Sequence, residues 1–132
     1  MKVIIAGSRT IMDRTLVEHV IKTAIEKSNN KLVITEVVCG MCEGPDLLGK
    51  DWADKNKIPV KEMPAEWYVN GVLDRSAGFK RNVEMANYGE ALIAIIENNS
   101  NGTSHMISEA KKRGLNRFVY KLNRNNHGNT IR

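Results

Sequence analysis

The sequence predicts an α/β fold: one domain with a parallel sheet of about five strands flanked by helices. Three observations carry that expectation. Short, continuously apolar runs, Lys2-Val3-Ile4-Ile5-Ala6 and Ala91-Leu92-Ile93-Ala94-Ile95-Ile96, have the pattern of strands covered on both faces. Segments with apolar residues at i, i+3 and i+4 alternate with such runs, and strand–helix alternation implies right-handed βαβ units. At 132 residues the chain is long enough for a single core and too short for a separate cofactor domain.

The first strand ends in Gly7-Ser8-Arg9. A helix follows from the cap Asp13 to Ser28, with Leu16, Val17, Val20, Ile21, Ala24 and Ile25 at helical spacing, and Asn29-Asn30 stops it. Residues Leu32 to Val38 read as the second strand. Cys39 to Asp46, with Gly40 and Gly44, is a glycine-bearing turn into a helix that carries Leu47, Leu48, Trp52 and Ala53 inward. Ile58 to Met63 is the third strand, with Pro59 near its start, where a missing donor is tolerated. A longer connection runs from Pro64 through Trp67, Gly71 and Gly78, and a helical segment begins at Arg81. The buried strand Ala91 to Ile96 leads through the polar turn Glu97 to His105 into a helix. That helix ends near Arg113 with Gly114 as its stop, and a last strand lies near Arg117 to Tyr120. No internal repeat or linker divides the chain, so domain boundaries fall at 1–122, with residues 123–132 a flexible basic tail.

Composition narrows the class. A hydrophobic content of 42% and a charged content of 27% are ordinary for a soluble globular protein. No stretch nears the roughly 18 apolar residues of a membrane span, and the first residues are too short for a signal-peptide core, so a cytoplasmic protein without a membrane partner is expected. Of the net charge of +5, three charges fall in Lys121, Arg124 and Arg132, with no acid among them, which makes the body only slightly basic. The tail reads as a solvated end or as an arm that touches nucleic acid. Cys39 and Cys42 form one C-x-x-C with no second pair, so neither a disulfide framework nor a zinc site is expected, and no cofactor is implied.

Ligands of parallel sheets bind beyond the carboxyl ends of the strands. Gly7-Ser8-Arg9, Gly40 to Asp46, Glu66-Trp67 and Asn98 to Thr103 all follow predicted strands, which puts one pocket on that edge. Arg9 and Arg81 are the anion partners, because a guanidinium gives bidentate, permanently charged hydrogen bonds to phosphate. Ser100, Asn101, Gly102 and Thr103 bring an approachable backbone and a helix N-terminus to the same edge, or merely cap and turn the chain. Asp46 caps a helix or accepts from a ribose hydroxyl. Trp67 stacks on a base or joins the core. Asn82 orients a ligand or caps, and His105 suits a neutral hydrogen-bonding role or an ordinary surface position.

Together, Gly7-Ser8-Arg9, Cys39-Gly40-x-x-x-Gly44-x-Asp46, Trp52-Ala53, Pro64-Ala65-x-Trp67, Ala77-Gly78-x-x-Arg81-Asn82-x-x-Met85 and Ser100-x-Gly102-Thr103-x-His105-Met106 resemble the YspA-related members of the SLOG superfamily. The superfamily also includes DprA-like DNA-binding proteins and LOG-type phosphoribohydrolases. The resemblance spans roughly residues 3 to 120 and implies a Rossmann-like fold with a nucleotide or nucleotide-derived ligand, ADP-ribose-like or a signalling nucleotide, held for sensing or sequestration. In the LOG enzymes a carboxylate polarises the ribose; the matching position here is Met106, which neither accepts a proton nor stabilises an oxocarbenium ion. An N-glycosidase of that type therefore needs a stand-in among Glu43, Asp46, Glu66 and Glu84, with Arg81, Glu43 and Glu84 the catalytic candidates. The resemblance further implies a homodimer or tetramer, to which Leu47, Leu48, Trp52, Val83, Met85, Ala86 and Tyr88 would lend apolar surface, and at most weak nucleic-acid binding.

Overall fold

The computed structural model describes residues 1–98, 100–123 and 130–131. The apolar runs form the centre of a parallel sheet: β1 (Lys2–Gly7) lies between β2 (Glu36–Cys39) and β6 (Ala91–Glu97), with β3 (Val60–Glu62) beyond β2 and β7 (Asn116–Asn123) beyond β6. These five strands run parallel, and β8 (Thr130–Ile131) adds an antiparallel edge to β7. All seven residues of β6 are buried, which is why its sequence shows no polar alternation.

Strand alternation divides the core in two. Val3, Ile5, Ile93 and Ile95 face α1 (Arg14–Lys27) and α2 (Pro45–Lys55), whereas Ile4, Ala6, Leu92 and Ala94 face α3 (Ala77–Tyr88) and α4 (Asn101–Lys112). The chain passes from β3 on one side of β1 to β6 on the other, so strand order reverses between β1 and β6. The carboxyl ends of those two strands are therefore the switch point where such sheets open a crevice.

Several elements differ from the sequence expectation. The second strand is shorter, because Asn29 and Asn30 adopt φ of 56° and 60° and the following segment wraps the N-terminus: the Met1 amine donates to the Val33 carbonyl at 2.6 Å. Helix α3 begins four residues earlier than expected, at Ala77, after Ser76 and Lys80 have both bonded Asp74. Arg81 thus stands in its second turn. The long connection contains a hairpin, β4 (Tyr68–Val69) and β5 (Val72–Leu73), turned by Asn70 and Gly71 with φ of 52° and 78°. Leu48, Met85 and Ala86, expected to lend apolar surface to a partner, are instead buried within the chain. Residues 124–129 and 132 of the expected flexible tail lie outside the described residues, as does Asn99. Among the described residues no helix is long and apolar enough to cross a membrane.

Candidate functional site

At the switch point the ends of β1 and β6 are fastened by one backbone and one side-chain hydrogen bond. Ser8 N–H donates to the Ile95 carbonyl at 3.0 Å, and Glu97 N–H donates to Ser8 Oγ at 2.9 Å. Ser8 is thereby buried and structural as well as site-lining. Gly7 is required here for a steric reason: a Cβ would overlap the Ile95 carbonyl and the Pro45 ring, so only glycine lets the start of α2 close on the sheet.

Above these strand ends opens a cleft of about 630 Å³. Of the residues expected in a site, Gly7, Ser8, Arg9, Asp46, Trp67, Arg81, Asn82, Ser100, Asn101, Gly102 and Thr103 line it together. Gly40, Gly44 and His105 do not. Gly40 lies behind Arg81 and accepts from its Nη1; Gly44, at φ 87°, packs against the Ser8 carbonyl; His105 sits behind Asn82. Each supports a lining residue. Glu43, Glu66 and Glu84 are exposed and do not line the cleft.

Arg81 is the most constrained cation of the cleft. Its Nη2 lies 3.5 Å from Cys42 Sγ and its Nε donates to Asn82 Oδ1 at 3.1 Å, so the side chain is fixed before any ligand arrives. Arg9 is exposed, with Nη2 4.0 Å from the same sulfur, and Arg75 also lines the cleft. Asp46 is 5% exposed. Burial pushes its carboxyl up to about 6, against the opposing pull of the Arg81 guanidinium and of N–H groups of Cys42 and Gly7. A carboxyl near neutrality beside a fixed guanidinium can accept from a hydroxyl or exchange a proton.

Across the cleft, Ser100 occupies the N-cap of α4 but turns its hydroxyl toward Thr103 Oγ1 at 3.3 Å and does not cap the helix. Gly102 has open space where a Cβ would stand. The first-turn N–H groups there form an anion-accepting end. Trp67 rims the cleft, 40% exposed, and its indole reaches to 3.3 Å from where a Cβ on Gly78 would lie. It is not a core residue.

Thr10, Arg75 and Phe79 also line the cleft and were not expected there; Cys42 and Glu97, which fall within the loop Gly40 to Asp46 and the turn Glu97 to His105, line it as well without having been singled out. Glu97 is 8% exposed and accepts from Thr10 Oγ1. Its position as the last residue of an apolar strand on the binding edge was the available signal. Met106 is buried in α4 and lines the cleft. Among the described residues no cluster of His, Cys, Asp and Glu is arranged to hold a metal ion. The cysteines are free thiols, with Cys39 buried and its thiol pushed up to about 12 by that burial.

Comparison with known proteins gives the chain a family. The model of a family described as the YspA, cpYpsA-related SLOG family matches residues 1–68, which include the ends of β1 and β2 and Trp67. The Gene 61 protein of Mycobacterium phage D29 is 32% identical over 120 residues, covering 86% of this chain and 91% of the phage protein. No solved structure matches the chain.

Proposed function

The chain belongs to the YspA, cpYpsA-related SLOG family, and from that premise we propose that its cleft binds a nucleotide-derived small molecule, as a sensor or a sequestering protein. One observation carries this reading: a pre-fixed guanidinium, Arg81, faces the uncapped N-terminus of α4 across a cleft rimmed by an exposed indole. Arginine and helix end are two independent devices for one chemistry, the capture of phosphate. The cleft has the size of a nucleotide pocket. Trp67 supplies a face for a base, Asp46 an acceptor for ribose hydroxyls, and Arg9 and Arg75 further charge for a second phosphate. ADP-ribose and nucleoside diphosphates are therefore the first ligands to titrate. Arg81→Ala is expected to weaken their binding about 100-fold, the effect of one charge-assisted contact, with stability changed by only about 1 kcal/mol. Calorimetry showing unchanged affinity in the variant overturns the reading.

A second reading has its own observation. Asp46 is a buried carboxyl near neutrality and Glu97 a second carboxyl of the same cleft, so a proton donor and an acceptor for glycosidic cleavage are both present although position 106 is methionine. On this reading nucleoside monophosphates lose their base in the presence of the protein, and Asp46→Asn abolishes the release. No base above the uncatalysed rate leaves the binding function alone.

A further inference from the structure

Behind Arg81 lies a chain of polar contacts that links α3 to α4. The amide orientation of Asn82 is determined by two neighbours, each capable of one role. The Gly102 carbonyl only accepts, so Nδ2 faces it at 3.2 Å; Arg81 Nε–H only donates, so Oδ1 faces it at 3.1 Å. Both demands give the same orientation. The second hydrogen of Nδ2 then points at His105 Nδ1, 3.2 Å away, which makes that nitrogen an acceptor. The proton of the neutral ring accordingly sits on Nε2, toward Glu109 Oε1 at 3.7 Å.

We infer that His105 is a positioning residue for Arg81, acting through Asn82: the neutral Nε2–H ring locks the amide that holds the guanidinium in the cleft, and a proton on Nδ1 unlocks it. With Nδ1 protonated, two donors meet across that 3.2 Å contact. Turning the Asn82 amide relieves the clash only by setting its NH2 against Arg81 Nε–H and its oxygen against the Gly102 carbonyl. The conflict is passed to Arg81, which keeps Gly40 and Cys42 but loses the partner that fixes Nε.

The groups around the ring are few. From α3 come Asn82 and Phe79, whose ring centroid is 4.4 Å from that of His105. From its own helix comes Glu109, itself paired with Lys112 and Arg113 at 3.4 and 3.3 Å. Strands β1, β6 and β7 meet α4 through the apolar cluster around Met106 and Ala110. On the other side of Arg81 stand Asp46 and Arg9, and burial raises the Asp46 carboxyl to about 6. Its effect has the opposite sign: a proton on Asp46 removes negative charge from the cleft and favours an anion, whereas a proton on His105 frees Arg81 and disfavours one.

For binding, the inference rests on the proposed role of Arg81 in holding phosphate; the ring tautomer does not. The first measurement is therefore the nitrogen NMR spectrum of the full chain labelled at histidine. At about pH 8 it is expected to show His105 protonated on Nε2 alone, with Nδ1 a hydrogen-bond acceptor, and an Nδ1–H tautomer overturns the inference. The second measurement uses inorganic pyrophosphate as the probe. At about pH 8, His105→Ala is expected to bind it about tenfold more weakly than the native chain, and His105→Asn, whose Oδ1 replaces the accepting Nδ1, to recover most of that loss. On acidification from about pH 8 the native chain is expected to lose about tenfold relative to His105→Asn, which keeps Asp46 but has no ring to protonate. Parallel pH profiles for the two, with Arg81→Ala still impaired, overturn the inference. If Arg81→Ala binds pyrophosphate as well as the native chain, the phosphate reading fails instead, and the tautomer decides the inference alone.

Discussion

On the proposed reading, Asp46 is the residue at which ligand binding and stability are set against each other. Its carboxyl is raised to about 6 in the folded chain, so below the unfolded value of 3.8 both states are protonated, and between there and pH 6 the folded state holds the extra proton. Stability therefore falls as pH rises through that window, and above it the ionised carboxylate costs of order 3 kcal/mol. Asp46→Asn, which keeps an oxygen for the N–H groups of Cys42 and Gly7, is expected to raise the melting temperature at about pH 8 by several degrees and to leave it unchanged at about pH 4. Denaturation curves that shift equally at both pH values would count against this origin of the cost. The same substitution is expected to weaken ribose-containing ligands, the pattern of a group retained for binding at the expense of folding. None of this was legible in the sequence, where Asp46 reads equally well as a helix cap; burial decides the matter, and burial depends on Gly44 and Pro45 bringing α2 against β1.

The elements that were legible are those whose pattern follows from one dominant cause. Strands β1 and β6 are covered on both faces and so are continuously apolar, and Asp13 caps α1 as its side chain predicts, accepting from Leu16 N–H at 3.2 Å. The edge on which the site loops gather followed from parallel topology, without knowledge of any side-chain position. The hairpin β4–β5 escaped notice because two-residue strands leave no alternation to read, although Asn70-Gly71 is a strong turn signal. The support of Arg81 by Asn82 and His105 escaped as well, since the contacts join residues 23 apart in sequence on two packed helices. Two glycines test these accounts in opposite ways. Gly7→Ala forces a Cβ onto the Ile95 carbonyl in a packed core and is expected to cost about 3 kcal/mol or more, by chemical denaturation. Gly71→Ala meets no neighbour and strains only φ, so it is expected to cost under about 1 kcal/mol globally while hydrogen exchange at Tyr68 to Leu73 quickens. Equal losses in the two variants would show that the hairpin is integral to the core and not an appendage.

At the scale of the whole molecule the unresolved balance is between a cleft that is open on one side and an apolar ribbon that borders it. Tyr68 and Val72 are each 69% exposed, and Trp67, Val69, Leu73 and Phe79 are exposed beside them. In a two-residue ribbon the paired Tyr68 and Leu73 share one face and Val69 and Val72 the other, so both faces meet solvent. An isolated hairpin of that length is marginal in water, and a contiguous patch of this kind on a monomer marks a contact surface. We propose that a second copy of this chain covers it in a closed two-fold pair, each hairpin lying against Phe79 and the rim of the partner's cleft. Self-association is favoured because an isologous contact sets each ribbon against the apolar rim of the other copy twice over, and the net charge of +5 is not concentrated on these residues. Light scattering at micromolar concentration is then expected to give twice the 14.8 kDa of the chain. Tyr68→Lys combined with Val72→Glu places charges on both faces and is expected to return a folded monomer with weakened ligand binding, since the cleft loses its neighbouring wall. A native mass of 14.8 kDa would leave the ribbon for another partner or for the ligand itself. A dimer that survives the double substitution would place the contact on other faces of the helices.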